Sequence, residues 1–424
     1  MKKVIAGLVA AVVVVVVILA LGTVLTRSFV AGELVEEGNS KTAAGDYPGA
    51  MADYTKAIKW QPKCASAYFG RAYVRNNQGD LDGTITDYTK AIELDPKYAD
   101  AYKNRGDAKG AKNDRNGAIA DYTKAIELNP KYVDAYENRG YVKGGKSDQD
   151  GAIADYNKAI ELSPNDAVAY QYRGYARNRN GDLDGAIADY TQAIELNPKY
   201  AAAYENRGYA KDGKKDNDGA IADYTKAIEL SPKDADGYRY RGVARQGRGD
   251  LDGAITDYTK AIELNPNNAD AYDDRATARY FEGDLDGSIA DYTKTIALNP
   301  GDAEACNGRG WSEYKQNDFD QALTDATRAI QLAPQNGDAY DTRAWVRLGQ
   351  GDAAKALADC QKAVELIGAN TDDAAADQGL VAFINGSYES AVASWQKAIQ
   401  HDPNVQRELQ PWIEKAKAKL MPGK

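Results

Sequence analysis

Nine prolines recur at intervals of 34 residues: Pro62, Pro96, Pro130, Pro164, Pro198, Pro232, Pro266, Pro300 and Pro334. A fixed period of that length restricts the chain to copies of one unit, each burying its apolar face against its neighbours. Such an array is quasi-one-dimensional, with contacts running from unit to unit rather than around one central core.

With the proline at position 32, the units run 31–64, 65–98, 99–132, 133–166, 167–200, 201–234, 235–268, 269–302, 303–336 and 337–370. Gly368 takes the proline slot of the tenth. A one-residue insertion precedes the eleventh, 372–405, which carries Pro403.

Position 8 is always small (Gly38, Ala72, Gly106 onward to Gly379), and so is position 20 (Ala50, Thr84, Ala118 onward to Ala391). Large rings stand at position 4 (Tyr68, Tyr102, Tyr136) and position 24 (Tyr54, Tyr88, Tyr122). Small residues opposite large ones let two helices approach closely. From position 20 to 30 apolar residues return every three or four steps, as in Asp121–Leu128, which is a helical period. Position 16 is Asp in ten units and Ser387 in the eleventh, placed to cap a second helix. Position 15 is often Gly (Gly45, Gly79, Gly181, Gly249, Gly283), suited to the left-handed end of a first helix. The proline ends the second helix by pushing its predecessor out of the α region. Each unit therefore reads as helix–turn–helix.

This pattern resembles the tetratricopeptide repeat: aromatic at 4, small at 8 and 20, aromatic at 24, Ala at 27 and Pro at 32. The resemblance covers 31–405. It implies an all-α, right-handed superhelical solenoid of eleven units whose first helices line a groove at positions 2, 5, 9 and 12. One departure is Arg at position 7 (Arg71, Arg105, Arg139, Arg173 onward to Arg343), where the family usually has Leu. Asp at position 23 accompanies it, so an Arg–Asp pair is expected, either within a unit or between neighbours.

By that analogy the groove carries Tyr73, Tyr141, Tyr175, Tyr209, Trp311 and Trp345 at position 9, and Glu137, Glu205 and Asp273 at position 5. An acidic, aromatic groove favours a protein or peptide partner with basic segments, because aromatic side chains bury area at low entropic cost. Packing between adjacent first helices is the plainer role for the same rings. The clamp by which some relatives grip a chaperone's terminal carboxylates needs Lys, Arg and Asn at groove positions. Lys103 and Asn138 are present, but Asp107, Val168 and Tyr172 stand where more are needed.

Ahead of the repeats, residues 1–3 form a short tail, and Val4–Leu25 is uncharged for 22 residues. As a helix it would extend about 33 Å, enough for a bilayer core of about 30 Å. A transmembrane signal-anchor is expected there, with 26–30 as a linker. A cleaved signal peptide is the alternative, with Ala20-Leu21-Gly22 as a weak cleavage site. Lys2 and Lys3 before the span, against Glu33, Glu36 and Glu37 after it, favour a cytoplasmic N-terminus and an extracytoplasmic array. Residues 406–424 are expected to form a capping helix and tail, interrupted by Pro411.

The net charge of −10 disfavours nucleic acid, which requires a basic stripe. Three widely spaced cysteines make neither a disulfide framework nor a zinc pattern, and the single histidine, His401, lacks catalytic company. No cofactor or metal is expected, and no segment remains for an enzyme domain. Gly140–Ser147 fits the phosphate-loop pattern, yet it would have to follow a strand, and it falls instead on a first helix. Asp216–Gly219 lacks the later ligands of a calcium loop. Arg248-Gly249-Asp250 is turn and cap. The expected function is a membrane-tethered interaction scaffold of a bacterial inner membrane. A carbohydrate-handling scaffold for polysaccharide export and a cytosol-facing organelle import receptor are the alternatives. Missing rings at Ala326, Cys360 and Cys306 further predict a softer, bending segment at repeats nine and ten.

Overall fold

The computed structural model describes residues 26–368, 374–401 and 405–420. Val4–Leu25, the start of the eleventh unit and Pro403 lie outside the described residues. Among the described residues every regular element is helical, and no helix is long and apolar enough to cross a membrane.

The chain divides into two compact units, 1–210 and 211–424. The helices are α1 (26–43), α2 (Tyr47–Trp60), α3 (Ala65–Asn77), α4 (Leu81–Leu94), α5 (Ala99–Ala111), α6 (Arg115–Leu128), α7 (Val133–Gly144), α8 (Gln149–Leu162), α9 (Ala167–Arg179), α10 (Leu183–Leu196) and α11 (Ala201–Gly213). They continue as α12 (Asn217–Leu230), α13 (Ala235–Gly247), α14 (Leu251–Leu264), α15 (Ala269–Glu282), α16 (Leu285–Leu298), α17 (Ala303–Lys315) and α18 (Phe319–Leu332). The last five are α19 (Gly337–Gly349), α20 (Ala353–Ile367), α21 (Ala375–Ile384), α22 (Tyr388–His401) and α23 (Gln406–Leu420).

Local chemistry sets these boundaries. Each position-16 aspartate from Asp46 to Asp352 accepts a hydrogen bond from a backbone N–H three residues on, as Asp182 does from Gly185. Position 15 is left-handed throughout. Glycine fills it in seven units, but Asn113, Ser147, Lys215 and Asn317 adopt φ of 61° to 65° there. The residue before each of the nine periodic prolines is extended, as at Asp95 (φ −132°), which stops the second helix.

The small position 8 exists for the ring at position 24. A Cβ added at Gly174 would sit 2.8 Å from the Tyr190 ring, and one at Gly379 would sit 2.4 Å from Trp395. These rings are fully buried, as are Tyr54, Tyr88, Tyr224 and Tyr258.

The Arg–Asp pair forms within a unit rather than between neighbours, from Arg71 with Asp87 to Arg343 with Asp359, whereas repeat one, with Glu37 at position 7, pairs Asp53 with Lys41. Arg173 donates from Nε and Nη2 to the two oxygens of Asp189 at 2.9 and 2.5 Å. Its third nitrogen, Nη1, reaches back to Asn157 of the preceding unit at 2.8 Å. Arg105, Arg139, Arg207, Arg241, Arg275 and Arg309 do the same with a threonine. The guanidinium also lies over the position-4 ring of its own helix, 5.4 Å away for Arg173 and Tyr170. A second cation at position 11 completes the aspartate's shell, as Arg177 does for Asp189 at 2.9 Å and Lys143 for Asp155 at 2.8 Å. A buried carboxylate is tolerable only when paired and hydrogen-bonded in this way. The arginine that replaces the family's leucine therefore joins its own two helices and ties them to the unit before.

Two expectations are corrected. Residues 26–30 are helical rather than a linker: they contain no Pro or Gly and open α1, which continues through Gly32. The tail helix α23 runs unbroken through Pro411. An interior proline costs about 3 kcal/mol, and buried Leu409, Ile413 and Ala416 offset it. In repeat nine, where Ala326 replaces the ring, a Cβ added at Gly310 would meet backbone atoms Ala322 O and Ala326 N at 3.3 Å. Trp345 and Cys360 belong to an extensive apolar cluster with Leu380, Trp395 and Ile413.

Candidate functional site

In the first unit the position-9 side chains of α3, α7, α9 and α11 stand out. Tyr73, Tyr141, Tyr175 and Tyr209 are 46, 64, 47 and 55% exposed. The helical period turns them about 100° away from position 8, which faces the partner helix, and their rings project from the surface of the first helices. Tyr141 meets the edge of Tyr172 at 5.9 Å, and Tyr172 stacks on buried Tyr156 at 5.9 Å.

These rings border a cavity of about 740 Å³ within the first unit, within the size range of small-ligand sites. Tyr141, Tyr172 and Tyr175 line it together with Asn138, Arg179 and Asn206. Tyr172, Arg179 and Asn206 did not stand out as partner-binding residues in the sequence. Position 6 carried the signal: Asn104, Asn138 and Asn206 alternate there with Tyr172 and Tyr240.

Asp107 closes one side of the cavity. It accepts from Tyr122 Oη at 2.8 Å and Asn138 Nδ2 at 2.9 Å, and it pairs with Lys103 at 2.9 Å. The two residues that suggested a carboxylate clamp are thus both tied to a carboxylate of this chain. Val168 is exposed and offers no charge.

Glu137 and Glu205 are half-buried on α7 and α11. Burial, then the neighbouring carboxylates Asp166 and Asp134, push the Glu137 carboxyl up to about 7. In the second unit Asp273 on α15 rises to about 7 from burial and the charges of Asp274, Asp302, Asp270 and Glu304. Glu137 and Asp273 are therefore proton-holding groups near neutrality rather than permanent charges.

The two tryptophans differ from the tyrosines. Trp311 is half-buried on α17, and its indole N–H donates to Tyr280 Oη at 2.8 Å. Trp345 is 5% exposed and packs against Trp412 of α23 with ring centres 5.5 Å apart. The structure thus places Trp345 in the core, where it borders a small cavity.

The tempting motifs resolve as local structure. Gly140 lies inside α7 and Ser147 in the following turn, with no strand before them. Arg248 bonds Asp218 at 3.0 Å and Asp250 at 3.1 Å. Among the described residues no cluster of side chains is suited to hold a metal.

Comparison with known proteins gives a consistent family. A TPR repeat family model matches 73–113, 106–147, 174–213 and 248–281. Three further Tetratricopeptide repeat models match 273–337 and 307–374, 155–188, and 133–166 and 201–234. No curated protein matches the chain. Among solved structures, MamA protein is 31% identical, over 41% of this chain and 94% of that one, with a TM-score of 0.38. YrrB, described as a TPR protein with an unusual peptide-binding site, is 25% identical over 43% and 95%, with a TM-score of 0.39. Yeast Tom70 is 18% identical over 92% and 96%, with a TM-score of 0.40.

Proposed function

This chain belongs to the tetratricopeptide repeat family, and from that premise we propose that it is a membrane-tethered scaffold whose first helices hold a segment of a partner protein. The observation that carries the reading is the row Tyr73, Tyr141, Tyr175 and Tyr209, exposed on one face beside a cavity lined by amides and rings. Such rings offer contact area with little rotamer entropy to lose, and amide side chains can pair with a peptide backbone. Trp311, Glu205 and Asp273 extend the same positions along the array.

The partner segment is basic. Glu137, Asp134 and Asp166 gather their carboxyls on α7 and at the start of α9, and a lysine or arginine placed there would displace the proton that Glu137 holds. Affinity for a basic peptide is therefore expected to rise between about pH 6 and pH 8, as Glu137 ionises. The lipid bilayer is the second partner, through Val4–Leu25, with the array on the outer side of a bacterial inner membrane.

A photo-crosslinking residue at Tyr175, introduced in the native cell, tests the groove. A discrete protein adduct that disappears on Glu137→Lys is expected. Adducts only from control positions on the second helices, with none from Tyr175, would overturn the reading. Protease added to intact cells and to cells with a permeabilised outer layer tests the orientation, which predicts digestion only in the latter.

A further inference from the structure

The second unit contains a smaller cavity, of about 240 Å³, that the peptide reading leaves unused. Two ring pairs line it. Trp311 and Tyr314 lie 5.2 Å apart on α17, and Trp345 of α19 meets Trp412 of α23 at 5.5 Å. Lys315 and Asp341 complete its charged lining.

These rings already carry cations. The Lys315 ammonium sits 4.5 Å from the Trp311 ring centre and 5.6 Å from that of Tyr314. Lys415 sits 4.5 Å from the Trp412 ring. Several aromatic rings around a small, partly open cavity, with a carboxyl group beside them, are the chemistry that attracts an organic cation. A primary ammonium fits poorly, since it brings three N–H donors to walls made of ring faces. A fully methylated ammonium donates no hydrogen bond and presents an apolar, positive surface. The Lys315 charge would repel a bare cation but attract an adjoining carboxylate. The volume is below the range typical of drug-sized ligands, so the whole molecule must be small.

We propose that this cavity binds a small zwitterion of the betaine class, with its quaternary ammonium among Trp311, Trp345 and Trp412 and its carboxylate on Lys315. Asp341 supports the cationic end. The site is independent of the tyrosine row of the first unit.

The test is a titration of the full chain, read by intrinsic tryptophan fluorescence, with glycine betaine, choline and 3,3-dimethylbutanoate. Glycine betaine is expected to give a saturable change in the millimolar range, choline to bind roughly tenfold more weakly, and the uncharged-head isostere to give none. Lys315→Met should bring betaine and choline to equal affinity. Trp311→Leu should abolish the response, while Trp311→Phe, which keeps a ring, should weaken it. Circular dichroism verifies that each variant is folded. The proposal is overturned if no saturable change occurs, if 3,3-dimethylbutanoate matches betaine, or if Lys315→Met and Trp311→Phe both leave the titration unchanged. The last pattern is that of a general solvent effect.

Discussion

Tyr175 and Trp345 occupy the same register, position 9 of a first helix, yet one is 47% exposed and the other 5%. The repeat itself does not account for the difference. In the first unit the position-9 rings Tyr73, Tyr141, Tyr175 and Tyr209 stay at the surface. In the second unit α23 follows the last repeat and brings Trp412 onto Trp345, with Leu380 and Trp395 in the same cluster. Register decides which way a side chain faces, and the end of the array decides whether anything covers it. A second contrast lies at position 11. In the first unit Lys109, Lys143 and Arg177 each give Asp at position 23 a second cation. In repeat nine of the second unit that position is Glu313, 7% exposed, next to Asp325.

The first contrast predicts the largest effect. Trp345→Ala opens a cavity in a closed cluster and should destabilise the C-terminal helices by ~3–5 kcal/mol. Hydrogen exchange should show lost protection across α19 to α23. Tyr175→Ala removes an exposed ring and should change stability by no more than about 0.5 kcal/mol. Equal losses at both positions would erase the distinction between covered and open rings.

The second contrast is sharpened by pH. Burial, together with Asp325, pushes the Glu313 carboxyl up to about 8, from an ordinary 4.5. Arg309 opposes this only partly, and Asp318 adds to it. A carboxyl whose pKa is raised on folding contributes stability that is complete below pH 4.5 and lost as pH rises through 8. The second unit should therefore lose about 1–3 kcal/mol between pH 5 and pH 8. Glu313→Lys restores the usual cation and should flatten that slope. Lys143→Glu in the first unit should create one. Denaturant midpoints of each variant at the two pH values read the difference, and a slope that survives Glu313→Lys would assign it to another group.

Much of this fold was legible because the repeat writes the same physical requirement many times. Positions 8 and 24 must be small and large together, position 16 must cap, and position 32 must stop a helix. The Arg–Asp pair was legible as a pair. Its threonine contact to the preceding unit was not, since a threonine at position 25 carries no distinguishing mark. The tyrosine row could be placed on a face from spacing alone. The cavity beside it could not, because Arg179 and Asn206 converge from different units and no spacing rule links them. Trp345 was misleading for the reason already given: the tail helix α23 packs Trp412 onto it, and nothing in the position-9 register announces that cover. The helical 26–30 segment shows the converse limit, since a boundary with no breaking residue leaves no trace in the sequence.

The smallest predicted effect tests the turns. Seven units place glycine at the left-handed position 15, whereas Ser147 and Lys215 hold φ of 65° and 61° with a side chain. A non-glycine residue in that region is strained by roughly 1–2 kcal/mol. Replacing it with glycine removes the strain but also frees the unfolded chain, an opposing term of about 0.4–1 kcal/mol. Ser147→Gly and Lys215→Gly should therefore stabilise by only about 0.5 kcal/mol each. Asn113 and Asn317, of a residue type that enters this region more readily, should gain less on the same change. Gly181→Ala, at φ 83°, should destabilise by about 1 kcal/mol. Gly32 supplies the control. It lies within α1, an added Cβ there meets nothing within 4 Å, and Gly32→Ala should stabilise by about 1 kcal/mol. Opposite signs at Gly181 and Gly32 would separate a conformational requirement from simple helix propensity. The same sign at both would mean that the turns between paired helices tolerate either hand.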